Sequence, residues 1–176
     1  MGSSRYQQAT GFTLLELMVT ISIMAIIAGI AVPSYQGLIQ NNQLRAASHA
    51  FYGSLVLARS EAVKNNLPVA MCKSTDSASC AGSGTWDDGW LIYIDADNDG
   101  SLDSGEMILD SHSGLQNLTL RATDANLHQL IYQPDGTQRV ATHFNVCIDD
   151  DASRGSKIAI GLTGRPSAEK GATTCP

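Results

Sequence analysis

From residue 95 to residue 106 the chain reads Asp-Ala-Asp-Asn-Asp-Gly-Ser-Leu-Asp-Ser-Gly-Glu. Carboxylates fall at the first (Asp95), third (Asp97), fifth (Asp99), ninth (Asp103) and twelfth (Glu106) places, Ser101 takes the seventh, Gly100 the sixth and Leu102 the eighth. This is the spacing of an EF-hand calcium loop, in which alternate side chains converge on one ion and the glycine permits a sharp turn. Five carboxylates in so short a loop repel one another, and a Ca²⁺ ion would neutralise them. An EF-hand is flanked by helices, whereas the residues before this loop, Trp90 to Ile94, read as a strand. Two readings therefore stand: a calcium site on Asp95, Asp97, Asp99, Ser101, Asp103 and Glu106, or a solvated acidic hairpin. No other cofactor is expected.

Cys72, Cys80, Cys147 and Cys175 show neither a C-x-x-C step nor a Cys/His ligand spacing, which argues against zinc. In an oxidising compartment two disulfides are the simplest reading, and four cysteines allow three pairings. Near neighbours are expected to join, Cys72 with Cys80 and Cys147 with Cys175, with free thiols as the alternative. His49, His112, His128 and His143 are scattered, and no serine or cysteine stands in a nucleophile-elbow context, so no enzyme is expected. A net charge of −6 gives no global attraction to polyanions; any such contact must come from a local patch.

The longest apolar run, Phe12 to Val32, is about 21 residues, enough for a helix to cross a hydrocarbon core of ~30 Å. Its one charge is Glu16. A secretory signal has a shorter apolar stretch and a small-residue cleavage site after it. Here the order is inverted, with a polar leader, Met1 to Gly11, a glycine directly before the apolar run and no A-x-A site behind it. A carboxylate within a membrane span is costly and points to function; the plain alternative is an anchor whose Glu16 snorkels to the interface. Pro33, which lacks a backbone donor and clashes with the preceding turn, is expected to kink or locally melt the helix, or to end the span.

The string Gly11-Phe12-Thr13-Leu14-Leu15-Glu16-Leu17 resembles the leader-peptidase site of type IV prepilins and type II secretion pseudopilins. The resemblance implies cleavage between Gly11 and Phe12, N-methylation of Phe12, and a role for Glu16 in assembly. The physics is consistent: a buried Glu16 carboxylate would be stabilised by a partner's N-terminal ammonium in a low-dielectric site, fixing the register of an entering subunit.

Leu44, Ala47, Phe51, Leu55, Ala58 and Ala62 recur at three- and four-residue steps and predict one apolar helical stripe, with Arg45, His49, Arg59 and Lys64 off it. Asn65-Asn66-Leu67-Pro68 stops the helix. Strands are predicted at 69–72, 89–94, 106–109, 117–121, 129–132, 143–147 and 157–160, with a turn at Pro134-Asp135-Gly136-Thr137. The expectation is an α+β fold: a long N-terminal helix packed on a C-terminal antiparallel β-sheet domain. Its parts are a leader (1–11), a transmembrane and filament-core helix (12–33), an amphipathic half-helix (34–67) and a β-rich domain (68–176).

Leu57-Ala58-Arg59-Ser60-Glu61-Ala62, the pair Trp86 and Gly89-Trp90, the loop ending Gly105-Glu106, and the terminal Gly164-Arg165 and Cys175-Pro176 resemble the GspH/FimT family, with the C-terminal end most similar to its FimT- and FimU-type minor pilins. Acidic loops joining two strands are frequent among its members. The resemblance implies a minor pilin that primes pilus assembly or sits at the tip, or alternatively a pilus-tip DNA receptor in natural transformation or a minor pseudopilin of type II secretion. Implied partners are other major and minor pilins, the prepilin peptidase and the inner-membrane assembly platform. The implied location is the bacterial inner membrane, with a periplasmic domain, and then a pilus or pseudopilus. FimT-type pilins carry a Gly-Arg-x-Arg motif associated with DNA binding. This chain has Gly164-Arg165-Pro166-Ser167, which leaves Arg165, with Lys170 nearby, as the candidate DNA contacts, against a structural turn bearing one surface arginine.

Overall fold

The computed structural model describes residues 12–149, 151–172, 174 and 175, apart from the side chain at position 33; the leader and Gly11 lie outside the described residues. The chain divides into two units between Ile39 and Gln40. A single helix, α1 (Leu14–Asn65), begins in the first and ends in the second.

In the first unit Thr13 caps α1, its Oγ1 accepting the Glu16 N–H at 3.2 Å and so satisfying one of the orphan donors of a helix start. An eighteen-residue window of α1 has mean hydropathy 2.3 and none of it is buried by the rest of the chain. Phe12, Leu14, Leu15 and Met24 are among the most exposed apolar side chains. The helix assignment continues through Pro33, so the melted turn expected there keeps helical backbone. Asn66, at φ 53°, ends the helix in the left-handed conformation that asparagine tolerates.

The second unit is α+β, as the sequence predicts, but it holds two antiparallel sheets. The strands are β1 (Val69–Lys73), β2 (Gly89–Ile94), β3 (Ile108–Ser113), β4 (Leu118–Ala122), β5 (Gln129–Tyr132), β6 (Thr142–Ile148), β7 (Asp151–Ile160) and β8 (Pro166–Lys170). One sheet has the order β3-β2-β1-β5, the other β4-β6-β7-β8. Leu44, Ala47, Phe51, Leu55, Ala58 and Ala62 of α1 are all buried against alternating residues of both sheets, among them Met71, Trp90, Tyr132, Leu120, Phe144 and Ile158. Phe51 sits at the centre, edge-on to Trp86 and Trp90 and tilted against Phe144 at a centroid distance of 4.7 Å. The buried Trp90 Nε1–H donates to Ser54 Oγ at 2.9 Å, so the indole donor is satisfied inside the core.

The opposite face of the first sheet carries a smaller cluster of Ala70, Cys72, Leu91, Tyr93 and Ile131, covered by Cys80 and Leu102. A disulfide joins Cys72 to Cys80, and a second joins Cys147 of β6 to Cys175. Three strand expectations are corrected. β3 starts at Ile108 rather than Glu106, because the Glu106 carboxylate binds loop amides. β7 begins six residues earlier than predicted, in a polar stretch that pairs with β6. β8 was not predicted at all: it is a polar edge strand whose first residue, Pro166, needs no ladder donor.

Candidate functional site

The acidic segment is the connection from β2 to the edge strand β3. Asp95 follows β2 directly and is fully buried, whereas Asp97 and Asp99 are exposed. Oxygens of these three carboxylates all lie within 4.8 Å of one another. Gly100 is clamped from both sides: its N–H donates to Asp95 Oδ2 at 3.2 Å and its carbonyl accepts the buried Tyr93 hydroxyl at 3.0 Å. It also lies at φ 83°, in the left-handed region where an L side chain is strained, so the sixth place of the loop favours glycine.

Asp95 Oδ1 has no hydrogen-bond partner. The Asp99 N–H lies near enough to the Asp95 carboxylate to favour its charged form, but its hydrogen bond runs to Asp97 Oδ1, at 3.3 Å. Arg139 reaches the loop, where its Nη2 donates to the Asn98 side-chain oxygen at 2.7 Å. Burial first, and then repulsion from Glu106 and Asp97, pushes the Asp95 carboxyl above the usual carboxylate range, against the Gly100 N–H. Repulsion from Asp99 is the largest influence raising Asp103. Burial, followed by Asp95, Glu106, Asp99 and Asp103, raises the Tyr93 hydroxyl strongly and keeps it a donor.

The six predicted calcium residues therefore divide. Asp95, Asp97 and Asp99 converge, while Asp103 and Glu106 lie outside that group. Glu106 acts as a staple, Oε1 accepting the Ala96 N–H at 2.8 Å and Oε2 the Asp103 N–H at 3.0 Å, which ties the two ends of the loop together. The Ser101 N–H donates to Asp99 Oδ1 at 2.6 Å. Leu102 packs on the small apolar cluster and anchors the loop to the sheet.

The two candidate DNA residues are not brought together. Arg165 precedes β8 and Lys170 ends it, ~16 Å apart at the rise of a strand. Lys170 instead lines a cleft of about 700 Å³ with Arg45 and His49 of α1 and Arg154 of β7. Sequence reasoning treated Arg45 and His49 as a solvated helix face and missed this grouping; a helical i, i+4 step was the one signal available. Glu169 also borders the cleft, and it pairs with Lys157 at 3.4 Å.

The glycine of the Gly164-Arg165 pair has a structural task. It lies at φ 71°, and a Cβ there would collide with the carbonyl oxygen of Gly136, which accepts the Arg59 Nε–H at 3.0 Å. Two sequence motifs far apart in the chain, Leu57–Ala62 and Gly164-Arg165, thus meet at the Pro134–Thr137 turn. Glu16, in the other unit, is exposed in the first turn of α1.

The family described as Type II transport protein GspH matches residues 47–164, and the Prokaryotic N-terminal methylation motif matches residues 7–32. No curated protein sequence matches the chain. Among solved structures, the type IV minor pilin FimU of Pseudomonas aeruginosa aligns with TM-score 0.64 at 25% identity, over 77% of this chain and 96% of that one. A second crystal form of FimU aligns with TM-score 0.60 at 25% identity, covering 76% and 100%. The minor pseudopilin EpsH of the Vibrio cholerae type 2 secretion system aligns at 12% identity and TM-score 0.49, over 73% and 97%.

Proposed function

The chain belongs to the GspH type II transport protein family of minor pilins and pseudopilins, structural proteins rather than enzymes, and from that we propose that it is a minor type IV pilin that enters a filament through its apolar N-terminal helix and helps prime assembly or form the tip. One observation carries the reading. A methylation motif and an unburied apolar helix stand ahead of a domain that aligns with nearly the whole FimU structure. In water such a helix face would be a large aggregation liability; in a bilayer, and then among the helices of other pilins, it is covered. Glu16 then pairs with the N-terminal ammonium of a neighbouring subunit, and Phe12 is the methylated first residue of the mature chain, released by the prepilin peptidase and passed to the assembly platform from the inner membrane.

Glu16→Val tests this. The variant is expected to insert and be cleaved normally, with intact mass starting at a methylated Phe12, yet to be depleted in sheared pili. Wild-type amounts of the variant in pili, or a leader retained in the presence of the peptidase, contradict the proposal.

The match to a type II transport family favours one alternative, a minor pseudopilin; recovery with a secretion pseudopilus instead of with pili would decide for it. A role in DNA uptake is favoured by the grouping of Lys170 with Arg45, His49 and Arg154, while Arg165 stands at the far end of β8. Phosphate contacts by so few cations would be weak and detectable only at low salt, since each released counterion adds about one to the salt slope. Loss of a gel shift at low salt in Arg45→Gln/Lys170→Gln would assign DNA contact to the cleft, loss in Arg165→Gln to the turn, and the absence of any shift would remove the role.

A further inference from the structure

We propose that the β2–β3 loop is a Ca²⁺ site built on Asp95, Asp97 and Asp99. Three acidic side chains in a loop are ordinary; the surroundings of these three are not. Asp95 is fully buried, yet its Oδ1 lacks a hydrogen-bond donor. A buried carboxylate oxygen without a partner is costly, and native structures compensate such atoms with a hydrogen bond, a counter-charge or a metal. The nearby guanidinium that reaches the loop is engaged by Asn98.

The spacing of the carboxylates also suits the ion. Calcium binds oxygen at about 2.3–2.6 Å, so ligands on opposite sides of one ion stand about 4.6–5.2 Å apart. The three carboxylates offer oxygens all within 4.8 Å of one another, a span that one such ion can bridge. The sequence places them at the first, third and fifth positions of an EF-hand loop, so the linear pattern and the folded convergence agree.

Contacts within the chain also hold the loop in shape. Tyr93 and Asp95 clamp Gly100, Leu102 is fixed on the sheet, and Glu106 staples Ala96 to Asp103. Glu106, the bidentate ligand of an EF-hand, thus serves here as a closing strut. A site with three carboxylates and the remaining positions filled by loop carbonyls and water is a weak one, in the range of extracellular modules, with a Kd on the order of 10⁻⁴–10⁻³ M. Binding would order the entry to the edge strand β3, where Met107 and Ile108 are exposed. The proposal does not depend on the pilin reading.

The test uses the full chain in detergent micelles, stripped of divalent ions and titrated with CaCl₂ alone. One saturable ion per chain is expected by calorimetry, with a rise in Tm of roughly 3–6 °C at ten times Kd. Asp97→Asn/Asp99→Asn keeps the acceptors that the Asp99 and Ser101 amides use but removes two charges. It should weaken Ca²⁺ binding at least tenfold and abolish the Tm rise, while the Tm in EDTA stays the same or increases as repulsion is relieved. No heat and no Tm shift at 10 mM CaCl₂, or a Ca²⁺ response that survives the double substitution, overturns the site.

Discussion

Replacing Gly164 by alanine separates a structural from a functional meaning of the Gly164-Arg165 pair. An L-residue at φ 71° costs about 1–2 kcal/mol in the left-handed region. The added Cβ would also collide with the Gly136 carbonyl oxygen, so the Pro134–Thr137 turn must shift away. That oxygen accepts the Arg59 Nε–H at 3.0 Å, and a hydrogen bond to a charged donor contributes ~1.5–3 kcal/mol, the lower end applying because Arg59 is half-exposed. The two effects together give about 2–4 kcal/mol, which for a chain of this length lowers Tm by roughly 10 °C. Arg165, by contrast, is exposed, and Arg165→Gln should change stability by no more than ~0.5 kcal/mol. Thermal melts of the two detergent-solubilised variants, followed by circular dichroism, make the comparison. A drop of less than about 2 °C for Gly164→Ala would refute the close-approach argument, and an equal drop for both variants would show that the turn is read wrongly.

Ser54→Ala removes the acceptor of the buried Trp90 indole N–H and should cost about 1–3 kcal/mol, measurable as a lower denaturant midpoint with an unchanged slope. The Ser79 hydroxyl and the Ala78 and Ser79 amides hold the Asp76 carboxyl below the usual carboxylate range. Because its folded pKa is depressed, its contribution is present above the unfolded value of ~3.9 and is lost as pH falls toward the folded one; Tm scans from pH 6 to pH 2 should find wild type losing its advantage over Asp76→Asn below about pH 4. Opening the Cys147–Cys175 bridge, which spans 28 residues, with a Cys147→Ser/Cys175→Ser pair should lower stability by about 3–4 kcal/mol if chain entropy dominates, and non-reducing peptide mapping should find both wild-type bridges closed.

Much of this protein is written in local pattern. The three- and four-residue recurrence of Leu44 through Ala62 marks the face of α1 that is buried, because helical periodicity alone decides which side chains share a face. The unbroken apolar run with its single Glu16 specifies a membrane-length helix through its length alone. Strand existence was legible wherever β-branched and aromatic residues cluster, as in β2 and β5, whose bounds agree with the sequence reading. It failed for β8, because a polar edge strand with a leading proline has no hydrophobic signature and forms through pairing with β7.

What tertiary structure alone decided is convergence. Asp95 is buried because β2 pairs with β1 and carries it to the sheet end, and burial separates its role from that of Asp97 two residues later. Glu106 is withdrawn from the carboxylate group because the amides of Ala96 and Asp103 claim its oxygens. Arg59, Gly136 and Gly164 meet across more than a hundred residues, and Lys170 finds Arg45 and His49 through the packing of β8 beside α1. Sequence spacing fixes neighbours within a turn or a strand; contacts between distant segments depend on which sheet edges and helix faces bury the most apolar surface together, a property of the whole packed domain.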